Sequence, residues 1–236
     1  MKRLFISVFI IAFSLNAIGQ DANAILSKVR SKFAQLNDLR CDVEMEFNIP
    51  GVAMDKISGK MIYKKPDKFR VKTKGLIFLP KQNPFSQLEI LEDPTAYMAV
   101  PAGTALSNGI NCNIINVIPT NGGELVLMKL LVGIEDGRIH ESELTLKREG
   151  TVQYFNTYTA AEDFIPTVME FKADFKRFKM PKVITGDFNS KPAREEEEEE
   201  EEESQSKYES GRVKMTISNL ELNRKVKETE FIDKDL

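Results

Sequence analysis

Cys41-Asp42-Val43-Glu44-Met45-Glu46-Phe47 alternates without a break, every odd position apolar and every even one acidic. Successive side chains of a strand point to opposite faces, so this stretch reads as a β-strand with one dry face and one wet, charged face. Asn48 to Gly51, with Pro50, supplies the turn that ends it. The same pattern recurs downstream. Met61 and Tyr63 share a face opposite Lys60, Ile62 and Lys64, and Phe69, Val71 and Thr73 alternate with Lys68, Arg70, Lys72 and Lys74. Met169, Phe171, Ala173 and Phe175 alternate with Glu170, Lys172, Asp174 and Lys176, and Val213, Met215 and Ile217 with Arg212, Lys214, Thr216 and Ser218. Sheets with one solvated face are commonly antiparallel, so a mainly β, antiparallel fold is expected.

Upstream of the first strand the period changes. Ile25, Val29, Phe33 and Leu36 are spaced four, four and three apart with Ser27, Lys28, Arg30 and Lys32 opposite, which predicts an amphipathic helix from Asp21 to Leu36 with Asp21 as its N-cap. Residues 1–20 read as a secretory signal peptide: Lys2 and Arg3, an apolar run from Leu4 to Leu15, then Ala17 and Gly19 before a cleavage site at Gln20 or Asp21. The run is shorter than the roughly 20 residues needed to span a bilayer. The first cysteine is Cys41, so no acylated Cys follows the cleavage site and the mature chain, 21–236, is expected to be a single exported, soluble domain.

The middle of the chain is less regular. Leu88 to Val100 holds material for a strand pair broken by Asp93-Pro94. Gly103 to Gly123, rich in Asn, Gly and Pro, reads as irregular. Leu125 to Val132 is almost wholly apolar, and its Leu, Met and Lys content favours helix over strand. Glu143 to Arg148 and Val152 to Thr159 are strand-like about a turn at Glu149-Gly150, and Lys182 to Phe188 is a further strand. Leu76-Ile77-Phe78-Leu79, closed by Pro80 and Pro84, is a buried strand or an apolar loop.

The net charge of −3 conceals an asymmetry: Glu195–Glu203 supply nine negative charges, and without them the chain is +6. Such a run repels itself and buries nothing, so a disordered loop is expected at about 190–210. The basic residues are spread along strands and Trp is absent, which gives no basis for nucleic-acid binding.

No reaction site emerges. The single histidine, His140, stands beside Asp136, Glu141 and Ser142 without nucleophile spacing, and next to a turn it reads as an ordinary surface residue. One His and two distant cysteines form no zinc site, and the Glu tract lacks the mixed ligands and turn Gly of a calcium loop. Neither a metal nor a cofactor is expected. An exported chain permits a Cys41–Cys112 disulfide. Cys41 on an apolar face also reads as a buried free thiol, and only proximity in the fold decides between them.

Taken in order, an N-terminal amphipathic helix, a strand beginning just after Leu39, and Gly59-Lys60-Met61-Ile62-Tyr63-Lys64-Lys65-Pro66-Asp67-Lys68-Phe69-Arg70 resemble the LolA/LolB superfamily of periplasmic lipoprotein carriers. Leu91 to Met98 echoes that family's following strand-turn-strand, and Asn223 to Phe231 its closing segment. The resemblance covers residues 22–73 and 168–231 best. It implies an unclosed β-barrel of about eleven antiparallel strands, short helices lidding its mouth, and a cavity for acyl chains of lipoproteins or lipids. It also implies a periplasmic monomer that meets inner- and outer-membrane transport partners. The basic residue before the proline, which latches the lid in that family, corresponds to Lys65, where the family's carrier has Arg. On this reading the cavity wall is Val43, Met45, Phe47, Phe69, Val71, Met169, Phe171, Phe175, Val213, Met215 and Ile217. A ligand-sensing or regulatory module on the same scaffold is the alternative.

Overall fold

The computed structural model describes residues 21–50, 54–66, 68–73, 85–148, 150–160, 163–173 and 210–231. The leader, the Leu76–Leu79 run, Phe175, the Lys182–Phe188 segment and the Glu195–Glu203 tract lie outside the described residues.

Alternation builds the sheet. Among the described residues ten strands form it: β1 (Asp38–Asn48), β2 (Ile57–Lys64), β3 (Lys68–Thr73), β4 (Tyr97–Ser107), β5 (Ile110–Pro119), β6 (Leu125–Gly133), β7 (Ile139–Leu146), β8 (Gly150–Thr157), β9 (Val168–Ala173) and β10 (Gly211–Leu222). Their order is β3-β2-β1-β10-β9-β8-β7-β6-β5-β4, every pair antiparallel, in one curved sheet that does not close. Helix α1 (Ala22–Ala34) starts at Asp21, whose carboxylate accepts from Asn23 N at 2.9 Å as an N-cap should. Helix α2 (Ser86–Glu92) lies between β3 and β4.

Register turns the alternating residues into rows on the inner face. One row runs Phe47–Val213–Phe171–Tyr154–Ser142–Leu130–Ile115 across seven strands. Another runs Ala173–Val152–Leu144–Met128–Val117–Ala99. The helices cover much of this face. Ala22, Leu26 and Val29 of α1 pack with residues of β4–β7, while Phe33 and Leu36 pack with β1, β2, β9 and β10; Leu88 of α2 touches both groups.

Three expectations are corrected. Leu125–Gly133 is the strand β6, not a helix. It lies between β5 and β7, so ladder hydrogen bonds on both edges outweigh a helix propensity difference of a few tenths of a kcal/mol per residue. Gly103–Gly123 is not irregular: it holds the end of β4 and all of β5, joined at Asn108-Gly109, whose φ values of 48° and 81° suit a two-residue hairpin turn. Leu88–Val100 gives a helix end and a strand start rather than two strands. Within α1, Leu26 is buried and Ile25 only half-buried.

Candidate functional site

The candidate site is the inner face and its helical cover. Of the residues read as cavity wall, Val43, Met45, Met169, Met215 and Ile217 share one buried cluster, against which Phe47, Phe69 and Val71 pack half-buried. Phe171 and Val213 fall in another, with Ile49, Leu146, Val152 and Ala173. Phe175 lies outside the described residues.

Polar contacts at the rim fasten the cover. Lys65, at the end of β2, donates from Nζ to the Phe33 carbonyl at 3.0 Å and to Glu92 of α2 at 2.5 Å, and sits 4.1 Å from the centroid of the Phe33 ring. A cation at the last turn of α1 is favoured by the helix dipole. One side chain thus ties β2 to both helices. Arg30 donates to the Tyr97 hydroxyl at 2.7 Å, and Lys32 to the Asp136 carbonyl at 2.6 Å. Asn223, just after β10, accepts from Asn37 N at 2.7 Å and donates to the Gln35 carbonyl at 2.8 Å, holding the chain as it leaves α1.

The turn that receives Lys32 is itself a polar knot. Asp136 accepts from Arg138 N at 3.0 Å and Arg138 Nε at 2.8 Å, and its Oδ2 is 2.9 Å from His140 Nε2. Burial works against its ionisation, but these Arg138 and His140 contacts outweigh it and hold the carboxyl below its ordinary range. Arg138 also donates to the Ala160 and Asp163 carbonyls and lies over the Tyr158 ring, 4.5 Å from its centroid. Burial pushes the Tyr158 hydroxyl well up. Gly133 makes room for the knot, since a Cβ there would fall 2.1 Å from Asp136 Oδ1.

His140 is therefore not a surface residue. It is 3 % exposed and bound to Asp136, while the Ser142 hydroxyl donates to Gln87 instead. Both cysteines are free and buried. Burial, with Asp42 adding to it, pushes the Cys41 thiol up to about 12; burial, then Asp136 and Glu141, pushes Cys112 up. Neither has the lowered pKa that makes a thiol reactive.

Between the helices and β7–β9 lies a cavity of about 30 Å³ whose walls include Phe33, Gln87, Leu88, Ile139, Asn156 and Met169. Ligand pockets usually run to hundreds of Å³, so this space takes a water-sized group and no acyl chain. Lys32, Arg138 and Tyr158 also line it, and Asn156 and Gln87, 5 % and 4 % exposed, are its buried uncharged amides, which alternation did not single out. Asn156 Nδ2 donates to the Ile139 carbonyl at 2.9 Å, but its buried Oδ1 has no partner among the described residues. A polar residue at an inward position of an otherwise apolar strand was the available signal: Asn156 stands opposite Met169.

An open, curved antiparallel sheet with an N-terminal helix over its inner face defines the LolA-like fold, and solved structures agree. A DUF1329 family protein from Desulfovibrio piger superposes with a TM-score of 0.58 at 12 % identity, covering 89 % of this chain and 95 % of its own. A LolA superfamily protein from Nitrosomonas europaea gives 0.55 at 12 %, covering 91 % and 99 %. A Vibrio parahaemolyticus structure described as an outer membrane lipoprotein-sorting domain gives 0.54 at 10 %, covering 89 % and 95 %. No family model matches the sequence, and no curated protein does. At these identities the likeness concerns the fold. No helix among the described residues is long and apolar enough to cross a membrane, and no three or more His, Cys, Asp or Glu among them group as a metal site.

Proposed function

We propose that this chain is a non-catalytic periplasmic carrier, which takes acyl chains of lipoproteins or lipids onto its inner face and passes them towards the outer membrane. The observation that carries the reading is the combination of long, largely apolar rows with a cover held at its rim by Arg30, Lys32 and Lys65. In the closed arrangement the space beneath is too small for cargo, so loading requires α1 to lift. The magnitudes allow it. Lifting α1 breaks rim hydrogen bonds of about 0.5–1.5 kcal/mol each and uncovers Leu26, Val29 and Phe33 at about 1.5–3 kcal/mol each. A long chain that takes their place, at about 0.8 kcal/mol per buried CH₂, offsets both. Release then requires a membrane-bound acceptor that competes for the chain. A leader of the form seen in residues 1–20 supports the periplasmic location, and the carrier is proposed to work as a monomer between inner- and outer-membrane partners.

Native mass spectrometry of the exported protein, with lipid extraction alongside, tests this. Co-purifying phospholipid, fatty acid or lipoprotein is the expected result. A protein that stays empty after incubation with acylated ligands would overturn it, and the inner face would then be packed core on a binding module.

A further inference from the structure

We infer that Asn156 is a specificity residue of this inner face, and that it selects acyl ligands whose polar end carries a hydrogen-bond donor. The inference rests on the carrier reading and deepens it. Asn156 stands on β8 at an inward position; its neighbour across the ladder is Met169, and the cavity between the helices and β7–β9 is walled by both. Its side chain is oriented by one bond, Nδ2 to the Ile139 carbonyl at 2.9 Å, which leaves Oδ1 as the acceptor. That oxygen is buried and unpaired among the described residues. A buried carbonyl oxygen without a donor costs about 1–3 kcal/mol. An apolar residue there would avoid the cost, as Met169 and Phe171 do at neighbouring inward positions.

The groups around it narrow the partner. Of the donors lining the cavity, the Tyr158 hydroxyl bonds the Ile139 carbonyl at 3.0 Å, Lys32 the Asp136 carbonyl, and Arg138 the Asp136 carboxylate with the Ala160 and Asp163 carbonyls, so each of these is engaged. The remaining walls named above are chiefly apolar. What the cavity offers a ligand is an acceptor in a dry setting, which an amide N–H or a hydroxyl satisfies. An ester oxygen in the same place would set one acceptor against another. With α1 lifted, the acyl chain lies along the apolar rows and its first polar group comes to rest at Asn156.

An isosteric pair tests this on the full chain: N-methylhexadecanamide and methyl hexadecanoate, which differ only in N–H against O, with hexadecanol as a second donor. Binding is read by displacement of a fluorescent fatty acid. The amide is expected to bind at least about fivefold more tightly than the ester, as an unpaired buried acceptor worth about 1–3 kcal/mol requires, with hexadecanol on the amide's side. In Asn156→Leu the amide-to-ester ratio should fall to about one while ester binding persists. That variant leaves the Ile139 carbonyl its bond from Tyr158. Equal binding of amide and ester by the natural chain would overturn the inference and leave the carrier reading standing. Binding of none of the three would remove both.

Discussion

The inner face has two kinds of territory. Beneath α1 and α2 the apolar rows are capped by helical side chains, and buried polar groups lie there: Ser142 and Asn156 in the sheet and Gln87 of α2 above them. Towards the end of the sheet where β1 closes, Ile49, Leu146, Val152, Phe171, Ala173 and Val213 form a cluster to which neither helix contributes. The first territory is shaped by contacts that can be undone at a rim. The second is side chains of adjacent strands packed on one another, which moves only if the sheet does. On the proposed carrier reading, the first would be a removable cover over the place where the ligand's polar end is read, and the second a fixed apolar track for its chain.

Substitutions can break or sharpen that contrast. The largest effect is expected at the covered end. Phe33→Ala empties a fully buried site and should cost about 3–5 kcal/mol in urea unfolding. Phe171→Ala, in the cluster without helical members, should cost about 3 kcal/mol by the same measure, the low end of that range because the ring is slightly less buried, and lower acyl-ligand affinity more than it lowers stability. Equal losses at the two positions would erase the distinction.

Next comes the knot that receives Lys32. Asp136→Asn removes the anion shared by Arg138 and His140 and should cost about 1–3 kcal/mol near neutral pH. Because the folded carboxyl titrates below its unfolded value, its contribution is present above the ordinary carboxylate pKa and fades as pH falls through the folded value. The stability curves of the two proteins should therefore converge on acidification. Curves that stay parallel down to acid unfolding would show that Asp136 acts by shape alone.

A smaller effect is expected at Lys65. Lys65→Met leaves the apolar stem over Phe33 but removes the bonds to its carbonyl and to Glu92, whose side chain is 42 % exposed and so screened. A loss of about 1 kcal/mol is expected, with faster uptake of a fluorescent fatty acid in stopped flow. Unchanged uptake would mean that Lys65 ties the helices down without governing access.

The smallest effect lies on the opposite face. Lys64 and Lys68 are directly paired across β2 and β3, and Glu228 accepts from both, which draws its carboxyl down to about 2. Glu228→Gln should be slightly less stable above the ordinary carboxylate pKa of about 4.3. The difference should vanish as pH falls through about 2, with ligand uptake untouched throughout. An altered uptake rate would tie this outer contact to the cover.

What could be read from the chain, and what could not, follows the same line. Cys41 to Phe47 fixed a strand and its faces because alternation is imposed by the backbone, whatever the neighbours are. The cap at Asp21 was equally local. The hairpin at Asn108-Gly109 was missed: the dipeptide tolerates positive φ, but its Asn-rich flanks read as a loop.

Other features depended on partners distant in sequence. Leu125–Gly133 is a strand because β5 and β7 supply its hydrogen bonds, and nothing in nine largely apolar residues announces them. His140 is buried because Gly133, Asp136 and Tyr158 close around it. Asn156 faces a cavity because α1, α2 and β9 enclose it. Periodicity acts through the chain's own geometry, so in β1, β2, β3, β9 and β10 the sequence by itself determined which residues face inward. Burial and hydrogen-bond satisfaction act between segments tens of residues apart, so only the tertiary structure decided which inward positions are core, which are cover, and which polar atom is left waiting for a partner.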